Sequence, residues 1–143
     1  MLLLCKIEMR DDKSRIPKNV EKIVLGIKNN GVEVNFFNIN AADEEKRKET
    51  LDKVVELIGN SEKKIKVLLH SLAFGSLKPY LSKDIERNVT QRNMDMTLDV
   101  MANSLVYWVQ DVYSRSLFSH KARIYAMSSA GSRKIWPTYG PVS

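Results

Sequence analysis

The sequence has a single cysteine, Cys5, and only two histidines, His70 and His120. A lone cysteine cannot form an internal disulfide, which excludes the disulfide-stapled class of secreted domains. Cysteine and histidine never recur at the spacing of a zinc site, so we predict no metal. Cys5 lies in an apolar, strand-like run, where a thiol is usually buried and unreactive. These features, together with the absence of a targeting sequence after Met1, predict a cytoplasmic protein.

Long apolar runs and clusters of one charge sign are also missing. The apolar runs are far shorter than the roughly 18 residues that span a bilayer, so we expect no membrane association. The net charge of +6 can attract nucleic acid or an acidic partner. However, acidic and basic residues alternate, as in residues 43–49, which is typical of a solvated helix face. We therefore expect no nucleic-acid partner, and the surplus suits a phosphate-bearing cofactor or an acidic carrier protein equally well.

What the sequence does contain is a regular alternation of strand and helix signals within 143 residues, 43% of them apolar. These values predict one globular domain over residues 1–143. The alternation predicts an α/β fold with a doubly wound parallel sheet. Ile65–Leu69 is apolar almost throughout, which predicts a strand covered on both faces. The other strand-like segments are Leu2–Glu8, Val32–Ile39 and Ala122–Met127, and helical patterns follow Pro17, Asp43 and Pro79.

Three loops follow the carboxyl ends of these strands, at residues 38–41, 70–75 and 127–139. Ligands of parallel α/β sheets bind at this edge. The last loop holds Ser128, Ser129 and Tyr139. A tyrosine can donate a proton to a developing alkoxide or enolate when neighbouring positive charge lowers its pKa, and a serine can orient the substrate oxygen. Taken alone, the pattern equally fits a tyrosine that only packs in a loop.

The same three loops carry a resemblance to a known family. Residues 67–75, Val-Leu-Leu-His-Ser-Leu-Ala-Phe-Gly, are similar to a strand and turn beneath a nicotinamide ribose, and residues 37–43 to a turn that brackets an adenine. Residues 124–131, with Pro137, Thr138 and Tyr139, are similar to a catalytic strand and its tyrosine loop. The chain thus resembles the short-chain dehydrogenase/reductase superfamily over residues 32–143, most closely the enoyl-acyl carrier protein reductases. The resemblance implies a Rossmann-like domain.

The resemblance implies a catalytic role for the last loop. Tyr139 would be the proton donor or oxyanion partner of the substrate carbonyl. Ser128 and Ser129 lie where the family places a serine or, in many enoyl reductases, a second tyrosine. Ser129 occupies the position of that second tyrosine, as in a ketoacyl reductase, so the reaction stays open between the two.

The resemblance also implies NADPH or NADH as the cofactor. The residues expected to line its site are Asn40, Ala41, His70, Ser71, Leu72 and Ala73. The first two would flank the adenine, and the other four would contact the cofactor chiefly through backbone groups. We expect the His70 side chain to be structural rather than a catalytic base. The choice between the two cofactors stays open because basic and acidic residues alternate in residues 10–13.

Two features of the family are missing. The sequence has no G-x-G-x-x-G turn to cradle a pyrophosphate at a helix N-terminus, and Leu2–Glu8 matches the family's second strand. The family's active-site lysine would fall beyond Ser143. We therefore expect an incomplete sheet that lacks the first strand and the C-terminal strands, as in an internal piece of a reductase.

The missing first strand would leave a gap in the middle of a sheet of order 3-2-1-4-5-6, with unpaired and adhesive edges. Leu2–Glu8 would pair directly with Ile65–Leu69, or a partner chain would fill the gap, or the rest of a longer molecule would. Self-association is expected through these edges or through an apolar helix stripe. The stripe comprises Met94, Leu98, Met101, Leu105, Trp108 and Val112.

Three functions follow as hypotheses. The first is a fragment of an NAD(P)H-dependent enoyl reductase acting on acyl thioesters of acyl carrier protein or coenzyme A, inactive as this chain. The second is a fragment of a similar reductase that reduces 3-ketoacyl groups instead of enoyl groups. The third is a non-catalytic α/β module that self-associates as a homo-oligomer.

Overall fold

The computed structural model describes residues 2–6, 18–59 and 62–142. The expected alternation of strands and helices is confirmed. The features expected in residues 7–17 lie outside the described residues, as does the side chain of Cys5. Among the described residues, no helix is long and apolar enough to cross a bilayer. The elements are β1 (Leu2–Lys6), α1 (Lys18–Lys28), β2 (Val34–Asn38), α2 (Glu44–Ile58), β3 (Ile65–His70), α3 (Gln91–Leu98), α4 (Ser104–Ser114) and β4 (Phe118–Ala126).

The helices begin where the sequence supplies capping side chains. The Asp43 carboxylate accepts a hydrogen bond from the Lys46 N–H at 3.0 Å and caps α2. At the start of α3, the Thr90 hydroxyl accepts from the Asn93 N–H, and the Asn93 side chain accepts from the Thr90 N–H, both at 3.2 Å. This reciprocal pair is a capping box. Each cap contributes about 0.5–2 kcal/mol, so the local sequence alone sets these helix starts.

The long helix expected after Pro79 is interrupted. A π-helical turn, Asp99–Asn103, joins α3 to α4. Trp108 and Val112 are buried, as the apolar stripe predicts, but Leu98 is 45% exposed. The stripe is therefore broken at Leu98, whereas Met94 and Met101 are partly buried. One additional residue in a helical turn rotates the following residues by about 100°, because a regular turn holds 3.6 residues.

The strands form two separate parallel pairs. β1 pairs with β2 from Leu2 opposite Val34 to Lys6 opposite Asn38. β3 pairs with β4, and the regular part of that register ends with His70 opposite Ala126. Within the described residues β1 and β3 do not pair, so direct pairing of the first and third strands is wrong for this structure. The sheet is parallel but divided, with a gap where the family's first strand is expected.

The core lies on one side of the β3–β4 pair. It contains Leu51 of α2, Trp108 and Val112 of α4, Ala41 and Leu117. The opposite face of β3 is open: Val67 is 53% and Leu69 is 57% exposed. The expectation that both faces of this strand are covered is therefore wrong for the described residues. The core positions the carboxyl ends of β3 and β4 side by side, where the candidate loops begin.

Candidate functional site

The two serines lie in a tight turn directly after β4. The Ser129 hydroxyl accepts the Gly131 N–H at 3.1 Å and starts the short helix Ala130–Ser132. The Ser128 hydroxyl donates to the Ser132 Oγ at 3.2 Å, and the Ser132 hydroxyl donates to the Ser129 carbonyl at 2.8 Å. Ser128 and Ser129 are both exposed. Because Ser129 accepts from the backbone, its own hydroxyl hydrogen can be directed at a substrate oxygen.

Tyr139 and Ser129 both border Gly131. A Cβ placed on Gly131 would lie 2.9 Å from Tyr139 Cδ1 and 3.2 Å from Ser129 Oγ, so any larger residue would crowd both side chains. The Trp136 ring packs edge-on against Tyr139, with ring centroids 4.8 Å apart. Tyr139 is half-buried. Two of the three predicted catalytic residues therefore border the same glycine, and a side chain at position 131 would crowd both of them.

The loop after β3 and the segment around Tyr139 also interlock through glycines. A Cβ on Gly75 would contact the Val142 side chain and lie 2.6 Å from Thr97 Cγ2. A Cβ on Gly140 would lie 2.5 Å from Cζ of Tyr80. Ser71, Leu72 and Ala73 directly follow the end of β3. Ser71 and Ala73 are exposed, and Leu72 packs against the core. The residues directly after the last predicted ligand loop, 140–142, therefore pack against the end of the loop after β3 and against Tyr80.

The His70 side chain is engaged inside the protein. Its Nε2 lies 2.9 Å from the Ser104 Oγ, and the Ser104 hydroxyl donates to the Val100 carbonyl at 2.7 Å. A hydroxyl has one hydrogen, so His70 must be the donor in this pair and carries its proton on Nε2. Burial lowers the pKa of His70 below its ordinary value of 6.5. This arrangement favours the structural interpretation of the imidazole, while the residue's predicted contact with a cofactor stays a prediction.

The third predicted loop is held by groups from α2 and α4. The Asn40 side chain accepts the Ala42 N–H at 3.0 Å. The Ala41 carbonyl accepts from Trp108 Nε1 at 3.1 Å, and the Ala42 carbonyl accepts from Arg47 Nη1 at 2.6 Å. The conformation around Asn40 and Ala41, which the resemblance assigns to the adenine, is therefore held by Arg47 of α2 and by Trp108, which is distant in sequence.

Sequence reasoning missed Arg47. It was grouped with the solvated charges of residues 43–49, yet it is only 5% exposed. Its Nε donates to Asp111 Oδ2 at 2.8 Å, and its guanidinium lies 4.9 Å from the centroid of the Tyr107 ring. The available signal was its spacing, because residue 47 lies one helical turn before Leu51 on the buried face of α2.

The π-helical turn lies next to these contacts. The Tyr107 hydroxyl donates to Asp99 Oδ1 at 2.9 Å, and this hydrogen bond, with the negative charge of Asp99, raises the pKa of Tyr107. Met101 packs near Gly75, whereas Asn103 is exposed. The two residues therefore lie on different helix faces.

The described residues fit only part of a dinucleotide site. They provide the predicted adenine turn and the loop after β3, but no glycine-rich turn at a helix N-terminus. The first turn of α2 is capped by Asp43 and carries Glu44 and Glu45, which disfavour a phosphate there. Among the described residues, nothing replaces the phosphate cradle.

Two concave surfaces lie away from Ser129 and Tyr139. Two open depressions of about 390 and 460 Å³ lie along α3 and between α2 and α4, and they share Asp99. Neither is lined by Ser129 or Tyr139. The described residues contain no group of three potential metal ligands. We place the candidate site at Ser129 and Tyr139 because their hydroxyl groups can act on a substrate oxygen.

Comparisons with known proteins identify the family and the fold of the chain. The family model for enoyl-(acyl carrier protein) reductases matches residues 9–143. No curated protein sequence matches the chain.

Among solved structures, a short-chain dehydrogenase/reductase from Serratia marcescens superposes with a TM-score of 0.71 over 97% of this chain at 13% identity. A dehydrogenase/reductase from Sinorhizobium meliloti gives 0.71 over 97% at 16% identity. A 3-oxoacyl-(acyl-carrier protein) reductase from Brucella melitensis gives 0.65 over 95% at 18% identity.

These similarities show the fold, and the matched part is about half of each solved chain: 49%, 48% and 50% respectively. The incomplete Rossmann-like architecture expected from the sequence is therefore confirmed. With the family model spanning nearly all of the sequence, the chain belongs to the short-chain dehydrogenase/reductase superfamily, within its enoyl-(acyl carrier protein) reductase family.

Proposed function

We propose that this chain is the substrate-side half of an NAD(P)H-dependent reductase of acyl thioesters, without activity of its own. The observation that carries the proposal is that Ser129 and Tyr139 both border Gly131 in the loop after β4. A phenol and a hydroxyl that converge on one point can bind a single carbonyl oxygen and stabilise the negative charge that develops on it. NADPH or NADH would supply the hydride when bound.

In this proposal each residue has one role. Tyr139 donates a hydrogen bond, and then a proton, to the carbonyl oxygen of the substrate. Ser129 directs its hydroxyl hydrogen to the same oxygen. Ser128 is tied to Ser132 and supports the turn. Asn40, Ala41, Ser71 and Ala73 would bound the cofactor, but the chain lacks the turn that would hold its phosphates.

Two reactions are compatible with this site. Enoyl reduction is the first candidate because the matching family model is that of enoyl reductases. Reduction of a 3-ketoacyl group is the second, because Ser129 stands where many enoyl reductases have a tyrosine. Acyl carrier protein and coenzyme A both carry the thioester on an arm that contains phosphate. The net charge of +6 would attract either of these negatively charged carriers.

The first test is cofactor binding by the chain itself. We expect no saturable change in NADPH or NADH fluorescence on titration with the 143-residue protein. Tight binding of either nucleotide would contradict the claim that the chain is incompetent to bind its cofactor.

The second test examines the chemistry. Residues 2–142 would replace the superposed half of the Brucella melitensis reductase, and NADPH oxidation would be followed with acetoacetyl- and crotonyl-coenzyme A. We expect turnover with one of the two, and a loss of about 100-fold or more in Tyr139→Phe. A folded chimera that binds NADPH but reduces neither thioester would refute the proposed function and favour the non-catalytic, self-associating module.

A further inference from the structure

Residues 71–76, which follow β3, form a loop that is not held by its own backbone. Among the described residues, none of these six takes part in a backbone-to-backbone hydrogen bond. Ser71 and Ala73 are exposed, so a ligand can reach this part of the loop. An irregular segment keeps one conformation only when other groups fix it, because each ordered residue loses conformational entropy. Side chains from other elements must therefore hold this loop.

The first end of the loop is tied through His70, the last residue of β3. Its Nε2 donates to the Ser104 hydroxyl at 2.9 Å, and the Ser104 hydroxyl donates to the Val100 carbonyl at 2.7 Å. Both side chains are buried: His70 is 7% exposed and Ser104 is 0% exposed. The start of the loop is therefore fixed against the start of α4.

The second end is tied in the same way through Thr97, near the end of α3. The Ser76 N–H donates to the Thr97 hydroxyl at 3.0 Å, and the Thr97 hydroxyl donates to the Asn93 carbonyl at 2.7 Å. Thr97 is fully buried, like Ser104. A hydroxyl has a single hydrogen, and both residues use it on a carbonyl of their own helix, so each can only accept from the loop.

The π-helical turn, Asp99–Asn103, lies between these two hydroxyls and sets the distance and angle between them. Thr97 and Ser104 are seven residues apart, which in a regular α-helix is close to two full turns. Side chains of the same segment also approach Gly75: a Cβ placed there would lie 2.6 Å from Thr97 Cγ2 and 3.1 Å from Met101 Sδ. One helical segment thus grips the loop by two hydrogen bonds and by packing against its glycine.

We propose that Thr97 and Ser104 are positioning residues, which clamp residues 70–76 at both ends so that this loop presents its backbone groups to the cofactor in one conformation. Both side chains are fully buried and act through Ser76 and His70, without contact to a reacting group. The clamp itself rests on the contacts above, whereas the expectation that the loop faces a cofactor rests on the proposed function.

The clamp also reaches the chain on either side of the candidate site. The His70 carbonyl accepts the Met127 N–H at 2.9 Å, directly before the turn that carries the two serines. At the other end, a Cβ placed on Gly75 would contact the Val142 side chain, three residues after Tyr139. The two buried hydroxyls therefore connect the loop after β3 to both ends of the last predicted ligand loop.

Amide hydrogen exchange by NMR on the full 143-residue chain tests the second end. Thr97→Val keeps the shape of the side chain and removes the hydroxyl, whereas Thr97→Ser keeps the hydroxyl. The amides of Leu51 and Val54, in the core, report global unfolding. Relative to these two amides, the Ser76 amide should exchange about tenfold faster or more in Thr97→Val, and within about threefold of the unmodified chain in Thr97→Ser.

A matched control separates the clamp from the general loss of a buried hydroxyl. Thr50 of α2 is 2% exposed, and its hydroxyl donates to the Lys46 carbonyl at 2.7 Å, as Thr97 does to its own helix. Thr50→Val should leave the relative exchange of Ser76 unchanged. If Thr97→Val instead accelerates the Ser76 and core amides by the same factor, Thr97 only stabilises the fold and the proposal is overturned.

The tautomer of His70 tests the first end without any substitution. Above pH 6.5, where His70 is neutral, the nitrogen NMR shifts of the ring should place the proton on Nε2 in the unmodified chain. Ser104→Ala removes the acceptor and should give a mixture of tautomers. Ser114→Ala removes an exposed hydroxyl of the same helix and should change nothing. A proton on Nδ1 in the unmodified chain would overturn the clamp, whether or not Ser104→Ala folds.

The effect on the cofactor is measured by titrating the chimera with NADPH and following its fluorescence. Thr97→Val should raise the Kd by about tenfold at an unchanged number of sites, because the loop must then be ordered when the nucleotide binds. Thr97→Ser should bind within about threefold of the unmodified chimera. A lower number of sites at an unchanged Kd would show a loss of folded protein only, and this result would contradict a positioning role.

The clamp and the proposed function fail in different ways, because the titration needs no turnover. A chimera that binds NADPH but reduces neither thioester refutes the proposed function, and the Kd of Thr97→Val still decides the clamp. An active chimera whose Kd does not change in Thr97→Val retains the function and overturns the clamp.

Discussion

Removing either partner of the Arg47–Asp111 ion pair should lower the stability of the protein by clearly different amounts. The Arg47 side chain is 6% exposed and that of Asp111 is 24% exposed, with Nε and Oδ2 2.8 Å apart. The Arg47 guanidinium also donates to the Ala42 carbonyl and lies over the Tyr107 ring. The two charges are therefore not equivalent, since water reaches the carboxylate but hardly reaches the guanidinium.

This asymmetry sets the expected magnitudes. Asp111→Ala leaves a buried cation without its counter-ion. Because two other contacts of Arg47 remain, we expect the free energy of unfolding to fall by about 3 kcal/mol, the low end for a broken buried pair. Arg47→Met fills the same space but leaves a partly hydrated carboxylate and an unpaired carbonyl, so the free energy of unfolding should fall by about 1.5 kcal/mol. The double variant should lose about 2 kcal/mol, far less than the sum, because neither charge is then left alone.

Urea unfolding followed by circular dichroism measures these free energies. Glu44→Gln, which breaks the exposed Glu44–Lys48 pair on the same helix, is the control and should leave the unfolding midpoint unchanged. The reasoning would be refuted if Arg47→Met cost as much as Asp111→Ala, or if the two single losses simply added in the double variant.

Two further predictions concern the site. Gly131→Ala places a methyl 2.9 Å from Tyr139 Cδ1, so it should destabilise the chain by about 1–3 kcal/mol and lower the turnover of the chimera. The control, Gly26→Ala, lies in a helix with no other atom within 4 Å of the new methyl and should stabilise the chain by about 0.5–1 kcal/mol. Unchanged stability in Gly131→Ala would contradict the crowding at this position. Burial lowers the pKa of His70 from 6.5, so the unfolded chain binds a proton at His70 more readily than the folded chain does. The stability that comes from a neutral His70 is therefore complete above pH 6.5 and is lost as the pH falls through the lowered pKa of the folded state. The loss should be smaller in His70→Gln and unchanged in His120→Gln, as measured by urea unfolding at several pH values between 5 and 7.5, and an identical pH dependence in all three proteins would show that His70 does not contribute.

Much of the fold follows from local signals. Asp43 caps α2 and Gly59 ends it at a φ of 56°, as the acidic start and the glycine predict. The alternation of elements and the parallel strands also follow from the sequence pattern. The proximity of Ser129 to Tyr139 was expected only from the resemblance, because ten residues of loop have no periodicity from which to predict a contact.

Other features depended on the tertiary structure. The charges around Arg47 look like a solvated face, and only the packing of α2 against α4 shows that one of them is buried. The π-helical turn at Asp99–Asn103 has no composition signal that distinguishes it from an ordinary helix, and it alone moved Leu98 out of the stripe. Burial and register depend on which elements meet, and single-sequence patterns describe each element separately.

By itself, the sequence determined the fold class, the start and end of α2 and the chemical types at the end of β4, because propensity, capping and hydrophobic period act within a few residues. The tertiary structure decided that the sheet divides into two parallel pairs, that His70 faces Ser104, and that Val67 and Leu69 are left open. Those outcomes depend on partners distant along the chain, and the open edge of β3 depends on a strand that the described residues do not contain.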